Sequence, residues 1–246
     1  MRHVGWRTVA GDLKRAARWW MAPDGRRAQN ARLGTCTSPD DYYAFSSLIG
    51  KGATQIRNEI LHFIEIVRGL EPRWVCEIGT SYGGTTFLLS RLLPPQTRLI
   101  GIDLFVRNRV QLRYFARPRR LDLIDGASAA RETVSRVRRL LGGQKLDVLF
   151  IDGDHTYEGV AADFLAYREL VRDGGIIAFH DIQPDGRARG IDSDAWVGEV
   201  PEFWARVKEL YRTDDLIESP AQLGLGIGIA WNTAQAAIPS DLGVAP

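Results

Sequence analysis

Cysteine is nearly absent: 246 residues carry two, Cys36 and Cys76, far apart and in no CxxC or metal-ligand spacing. That excludes a disulfide scaffold and a cysteine zinc site, and it suits a reduced, cytoplasmic setting. No apolar run approaches the roughly 20 residues that span a bilayer, and residues 1–23 lack the uninterrupted apolar core of a signal peptide. An excess of one charge is missing too. Lys+Arg number 32 against 30 Asp+Glu, a formal net charge of +2, so no chain-wide field draws the protein to nucleic acid. The sequence contains no internal repeat and no low-complexity tract.

What the chain does have is 45% hydrophobic content, enough at this length for one large core. The expected organisation is an N-terminal helical extension over 1–53 and one α/β domain over 54–246. Residues 4–20 have the spacing of an amphipathic helix, with Trp6, Val9, Leu13, Ala17 and Trp20 set against Arg7, Lys14, Arg15 and Arg18. Two readings of that helix stand open. In the preferred one its tryptophans pack on the body or on a second copy of the chain, a homo-oligomer being the expected state; in the other they touch a membrane surface.

From Thr54 the period is helical, with Ile56, Ile60, Phe63, Ile64 and Val67 on one stripe and Gly69 and Pro72 as stops. A strand over 73–79 (RWVCEIG), the turn TSYGG and the helix TTFLLSRLL follow, ending before Pro94 and Pro95. The alternation continues with a strand over 98–103, a basic stretch, a strand over 120–124, the helix AARETVSRVRRLL and a strand over 147–152. Next come the helix EGVAADFLAYRELV, a strand over 175–181, the helix VPEFWARVKELY, a polar strand and a strand over 223–231. This pattern predicts a doubly wound, Rossmann-like, mostly parallel seven-stranded sheet. Two late strands with no helix between them predict an antiparallel C-terminal edge hairpin.

In an open parallel sheet, ligands bind outside the carboxyl ends of the strands, near the switch in strand order. The polar residues expected there are Glu77, Gly79, Ser81 and Gly83; Asp103; Asp125 and Ser128; Asp152, Asp154 and His155; and His180 and Asp181. The turn EIGTSYGG puts glycines where backbone must turn tightly, and Asp103, 24 residues after Gly79, stands where an acid binds ribose hydroxyls. The spacing from Gly79 to Gly83 is GxxxG, not the GxGxxG that seats a pyrophosphate on a helix N-terminus. That counts against the rival reading, an NAD-dependent oxidoreductase. A non-catalytic ligand-binding or interaction module is a third reading, and it would not need such a cluster of acids and histidines.

The segments VCEIGTSYGGTTFLL, LIGIDLF and LDVLFIDGDHTYEGVAADFLAYRELVRDGGIIAFHDI resemble class I S-adenosylmethionine-dependent methyltransferases. Within that class they resemble the small-molecule O-methyltransferases grouped with sugar methyltransferases and cephalosporin-hydroxylase-like proteins, over roughly residues 55–231. The resemblance implies S-adenosylmethionine as cofactor and a small hydroxylated acceptor: a sugar, a glycan or a natural product. It implies that Glu77, Gly79 and Ser81, with Gly83 in the same turn, surround the amino acid part of the cofactor. Asp103 would hold the ribose, and Asp125 to Ser128 would lie on the adenine side. It also implies that Asp152, His180 and Asp181 hold a divalent metal, and that His155 is the general base.

One imidazole with two carboxylates shifts metal preference from Mg²⁺ toward Mn²⁺, Zn²⁺ or Fe²⁺. A metal-free site, with His180 hydrogen-bonding beside Asp181, stays open, as does His155 as a helix-capping or loop residue. A hydroxylase's facial iron triad would need two histidines and one carboxylate, the reverse of this trio.

Two further segments are expected to shape the acceptor site. The arginine-rich stretch 107–120, with Tyr114 and Phe115, either attracts an anionic acceptor or is a solvated basic face, the preferred reading. Residues 182–200 are long enough to cover the site, with Trp196 either touching substrate or plugging the core beneath.

Overall fold

Five consecutive positions, Trp74–Ile78 (β1), are buried, a pattern that belongs to a strand inside a sheet covered on both faces. In the computed structural model, which describes residues 6–116, 120–186, 196–233 and 238–243, β1 pairs in parallel with β2 (Arg98–Asp103) and β4 (Leu146–Ile151). β3 (Leu121–Asp125) lies outside β2, and β5 (Val171–His180) outside β4. β7 (Ile227–Trp231) runs antiparallel to β5, and β6 (Arg212–Leu216) closes that edge antiparallel to β7. The order β3-β2-β1-β4-β5-β7-β6 is the mostly parallel sheet with an antiparallel edge pair that the alternation predicts. Strand order reverses between β1 and β4, so the ligand crevice lies at their carboxyl ends.

Side-chain alternation along β1 divides the core. Cys76 and Ile78 face a cluster with Val137 of α7 (Arg131–Leu141), Phe164 of α8 (Tyr157–Tyr167) and Phe203 of α9 (Val200–Lys208). Val75 faces the other cluster, with Phe45, Phe63, Phe87 and Leu112. Those four come from α3 (Pro39–Ser46), α4 (Arg57–Gly69), α5 (Gly84–Leu92) and α6 (Arg109–Phe115). α3 opens on a capping box between Ser38 and Asp41, which satisfies two otherwise orphaned amides. Its Phe45 is fully buried against Phe87 and Phe115. Ahead of it, α1 (Trp6–Met21) and α2 (Pro23–Gly34) form a helical pair. Among the described residues no helix is long and apolar enough to cross a membrane.

Several boundaries differ from expectation. The basic stretch contains α6, whose buried Leu112 and Phe115 give it one apolar stripe at i, i+3 spacing that the surrounding arginines obscure. α4 starts at Arg57 rather than at Thr54, because Ile56 is extended and the Gln55 carbonyl is tied to the Tyr43 hydroxyl at 3.0 Å. α8 stops at Tyr167, a single 3-10 turn follows, and Val171 already belongs to β5. The last strand begins at Ile227, because Gly224, Leu225 and Gly226 all have positive φ and a run of left-handed residues cannot pair as a strand.

Glu77 is the charged exception inside β1. It is 3% exposed and accepts from the Thr86 and Thr80 hydroxyls. Burial pushes its carboxyl up to about 8, with the neighbouring Asp152 and Asp103 adding to the rise. A carboxyl whose pKa rises on folding, here from 4.5, destabilises progressively as pH climbs through that interval, because the unfolded chain gives up its proton first. The melting temperature should therefore fall between about pH 5 and about pH 8. It should fall less in Glu77→Gln, which keeps an acceptor for the threonines and does not titrate. Parallel melting curves for the two proteins across that range would reject this account.

Candidate functional site

The carboxyl ends of the parallel strands open into a cavity of about 790 Å³, within the range of small-molecule sites. Gly79, Ser81, Gly83, Asp103, Ser128, Asp152, His155, His180 and Asp181 all line it. Two other expected residues do not. Glu77 lies buried beneath the turn, and Asp125 accepts from the Val106 amide at 2.9 Å and pairs with Arg109. From Asp125's loop it is Gly126, Ala127, Ser128 and Ala129 that face the cavity.

The turn after β1 is shaped by close backbone approach. Gly79 has φ +94°, and a Cβ there would stand 1.8 Å from the Asp152 carbonyl oxygen, so only glycine lets the end of β1 lie against the end of β4. Ser81, at φ +47°, donates its amide to Asp103 Oδ2 at 2.8 Å, and Phe105 donates to Oδ1 at 2.9 Å. Burial raises the Asp103 carboxyl while these two amides oppose the rise. Each oxygen retains a lone pair, which suits it to receive two vicinal hydroxyls.

At the ends of β4 and β5 the acids and histidines converge. His180 Nδ1 lies 3.2 Å from both Asp152 Oδ1 and Asp181 Oδ2. His155 reaches the same two carboxylates, Nε2 to Asp152 at 3.8 Å and Nδ1 to Asp181 at 3.4 Å. Its Nδ1 is also 3.0 Å from the Trp196 carbonyl, and its ring stacks on the Trp196 indole at 5.2 Å and 15°. Burial works against a charged His180, but Asp152 and Asp181 outweigh it and hold the imidazole up at about 10. One ligand atom each from Asp152, His155 and Asp181 lie within 4.8 Å of one another, a donor set of two oxygens and one nitrogen that fits a divalent ion. His180, 4% exposed, stands beside both carboxylates.

Thr156, not His155, caps α8, accepting from the Gly159 amide. Trp196 is 56% exposed and lines the cavity, so it does not plug the core. Residues 187–195 of the expected cover lie outside the described residues. Of the basic stretch, Arg107 reaches the cavity wall, while Arg117 to Arg119 lie outside the described residues.

Sequence reasoning missed Gln55, Thr85 and Asp163. Gln55 Nε2 donates to Asp152 Oδ2 at 2.7 Å, and the Thr85 hydroxyl donates to Gln55 Oε1 at 2.7 Å, which fixes the sense of the amide. No local signal marks Gln55, whose partners are 30 and 97 residues away. Asp163 lines the cavity from α8, its carboxyl pushed up to about 6 by burial and held by Ser128. Its place among the apolar residues of ADFLAY was the available hint.

Residues 76–182 match a family model described as a methyltransferase domain. Catechol O-methyltransferase B of Danio rerio is 32% identical over 91 residues, 35% of this chain and 34% of that protein. An uncharacterised protein of Acanthamoeba polyphaga mimivirus is 53% identical over 38 residues, 15% of this chain and 17% of that one. The matched stretch therefore spans about a third or less of each of these relatives. Among solved structures, an O-methyltransferase from Bacillus cereus in complex with S-adenosylhomocysteine superposes with a TM-score of 0.61 at 16% identity, over 81% of this chain and 93% of that one. TomG from Streptomyces achromogenes, an O-methyltransferase involved in tomaymycin synthesis and bound to S-adenosylmethionine, gives 0.59 at 17% identity, over 84% and 96%. Residues 76–182 are thus similar to a methyltransferase domain, and the sheet, with this strand order and edge pair, shares its fold with these solved O-methyltransferases.

Proposed function

We propose that the protein is a cytoplasmic S-adenosylmethionine-dependent O-methyltransferase acting on a small hydroxylated acceptor: a sugar, a glycan or a natural product. The observation that carries this reading is that the glycine turn, Asp103 and the cluster of Asp152, His155, His180 and Asp181 open onto one cavity. The turn and Asp103 hold the cofactor; the cluster handles the acceptor. Cofactor-bound relatives of the same fold support the assignment.

In the reaction, the acceptor oxygen attacks the sulfonium methyl in line, the C–O bond forms as the S–C bond breaks, and the hydroxyl proton leaves to a base. His155 suits that role. The Trp196 carbonyl, 3.0 Å from Nδ1, can only accept, so the hydrogen bond places the proton of neutral His155 on Nδ1 and leaves the Nε2 lone pair free. Holding donor and acceptor in line supplies a large part of the rate.

Asp152 and Asp181, with the imidazole of His155 or His180, would hold a divalent ion. Two carboxylates and one imidazole favour Mn²⁺, Zn²⁺ or Fe²⁺ over Mg²⁺. When bound, such an ion lowers the pKa of the acceptor hydroxyl.

Three outcomes are expected. Calorimetry should show S-adenosylhomocysteine binding, weakened about tenfold or more in Asp103→Ala by loss of charge-assisted hydrogen bonds; binding of NAD in its place would sink the assignment. Against a panel of sugars and phenols, His155→Ala should lower kcat by about 100-fold or more while leaving cofactor affinity alone. An unchanged kcat on every acceptor methylated by the wild type rules out the base. Mn²⁺ titration should show a site that Asp181→Asn weakens by about tenfold or more, and wild-type protein that binds no Mn²⁺ and keeps full activity in EDTA would remove the metal.

A further inference from the structure

We propose that the outer face of α1 docks on an anionic membrane surface. The helix has two dissimilar sides. Its inner side is anchored to the body: Asp12 Oδ1 accepts from the Asn108 amide at 3.0 Å, and the Trp19 ring stands edge-on to Tyr114 at 5.0 Å and to Phe115 at 5.8 Å. Leu13, Ala17 and Met21 occupy the opposite side with Trp20, whose ring has one edge toward Tyr114 at 6.4 Å and lies under the Arg26 guanidinium at 5.0 Å. Their i, i+4, i+7, i+8 spacing makes them one stripe, and all four are exposed, Leu13 at 62%, Trp20 at 53% and Met21 at 74%. Three of the seven exposed large hydrophobics among the described residues lie on this one helix. Lys14 and Arg18, both exposed, follow immediately around the circumference of the helix from that stripe.

Charge decides what covers the stripe. Residues 1–34 contain eight Lys+Arg and two Asp+Glu, while the rest of the chain contains 24 and 28. The near-neutral total therefore hides a segment of +6 on a body of −4. A second copy of the chain meeting this one through the same stripe would bring two +6 segments face to face, which like-charge repulsion opposes. A bilayer with anionic headgroups matches the charge, and the interfacial zone takes an apolar stripe flanked by basic side chains. The contact is peripheral, since no described helix crosses a membrane.

The inner side of the same helix lies beside the cavity. Arg15 of α1 sits over the Tyr82 ring at 5.8 Å, and Tyr82 lines the cavity. A lipid-borne hydroxyl compound would thus arrive across one helix from the site. That consequence rests on the methyltransferase reading; the docking does not.

The test is co-sedimentation of the full chain with vesicles of phosphatidylcholine alone and of phosphatidylcholine with roughly one-third phosphatidylglycerol. Binding is expected to the anionic vesicles and not to the neutral ones. It should drop by about tenfold or more in both Trp20→Ala/Met21→Gln and Lys14→Glu/Arg18→Glu, each with an unchanged melting temperature. Lys14, Arg18 and Met21 are exposed and Trp20 is more than half exposed, its ring contacts being with Trp19, Tyr114 and Arg26 at the surface, so the fold is expected to survive each variant independently.

No binding to anionic vesicles, or equal binding to neutral ones, overturns the proposal. So does full binding by Trp20→Ala/Met21→Gln, which would mean attraction to any polyanion without seating of the stripe. A dimer in solution that this variant converts to monomer, with no vesicle binding by the wild type, would assign the face to a second copy instead. Failure of S-adenosylhomocysteine to bind would sink the methyltransferase reading and leave the vesicle result standing.

Discussion

The site depends on the junction where the end of β1 lies against the end of β4. Gly79 donates its amide to the Ile102 carbonyl at 2.8 Å, and Asp152 donates to the Ile78 carbonyl at 2.9 Å, so the last residues of β1, β2 and β4 are tied in one row. Gly79 passes so near the Asp152 carbonyl that any side chain would collide with it. That contact brings the glycine turn and the Asp152 carboxylate to one cavity. Gln55 and Thr85 then hold Asp152 from the α4 and α5 side, and His180 from the β5 side. A displaced junction would separate the two halves of the chemistry even with every side chain present.

What was legible in the sequence is what periodicity and strand ends encode. The buried strands read as continuous apolar runs, each followed by a polar residue, and that pattern alone locates Asp103, Asp152 and His180 at carboxyl ends. What was not legible arises from packing between distant segments. Gln55 becomes part of the site through partners far along the chain, and α6 is hidden because two apolar side chains among arginines look like a charge run. Asp125 illustrates the opposite error. Its strand-end position is right, but Val106 and Arg109 claim its carboxylate, so position alone overstated its role.

Acid is concentrated in the cavity. Asp103, Asp152, Asp154, Asp163 and Asp181 line it against Lys51, Arg107 and the His180 imidazole that Asp152 and Asp181 hold charged, and burial raises both Asp103 and Asp163. Burying carboxylates in excess of cations is costly, and a ligand that carries a sulfonium and an ammonium relieves that cost as an anionic nucleotide would not. The electrostatics thus favour S-adenosylmethionine over NAD on grounds separate from the glycine spacing. The α1 segment shows the complementary arrangement, with basic charge gathered outside the cavity that holds these acids, so that one nearly neutral chain carries two regions of opposite sign.

The two roles open to His155 compete for one atom. Nδ1 is taken up by the Trp196 carbonyl, and the segment after Trp196 returns to hold the loop, with the Glu199 amide donating to the His155 carbonyl at 2.7 Å. Only Nε2 is left for chemistry. If it binds a metal ion beside Asp152 and Asp181, it has no lone pair with which to take the acceptor proton; if it is the base, any ion must be held by the carboxylates and other donors. A metal that lowers the acceptor pKa makes a separate base less necessary, and a base makes the metal less necessary. On the proposed reading the geometry ties the metal requirement to the role of His155: its loss would cost either proton transfer or metal affinity, and which of the two falls would tell what Nε2 serves.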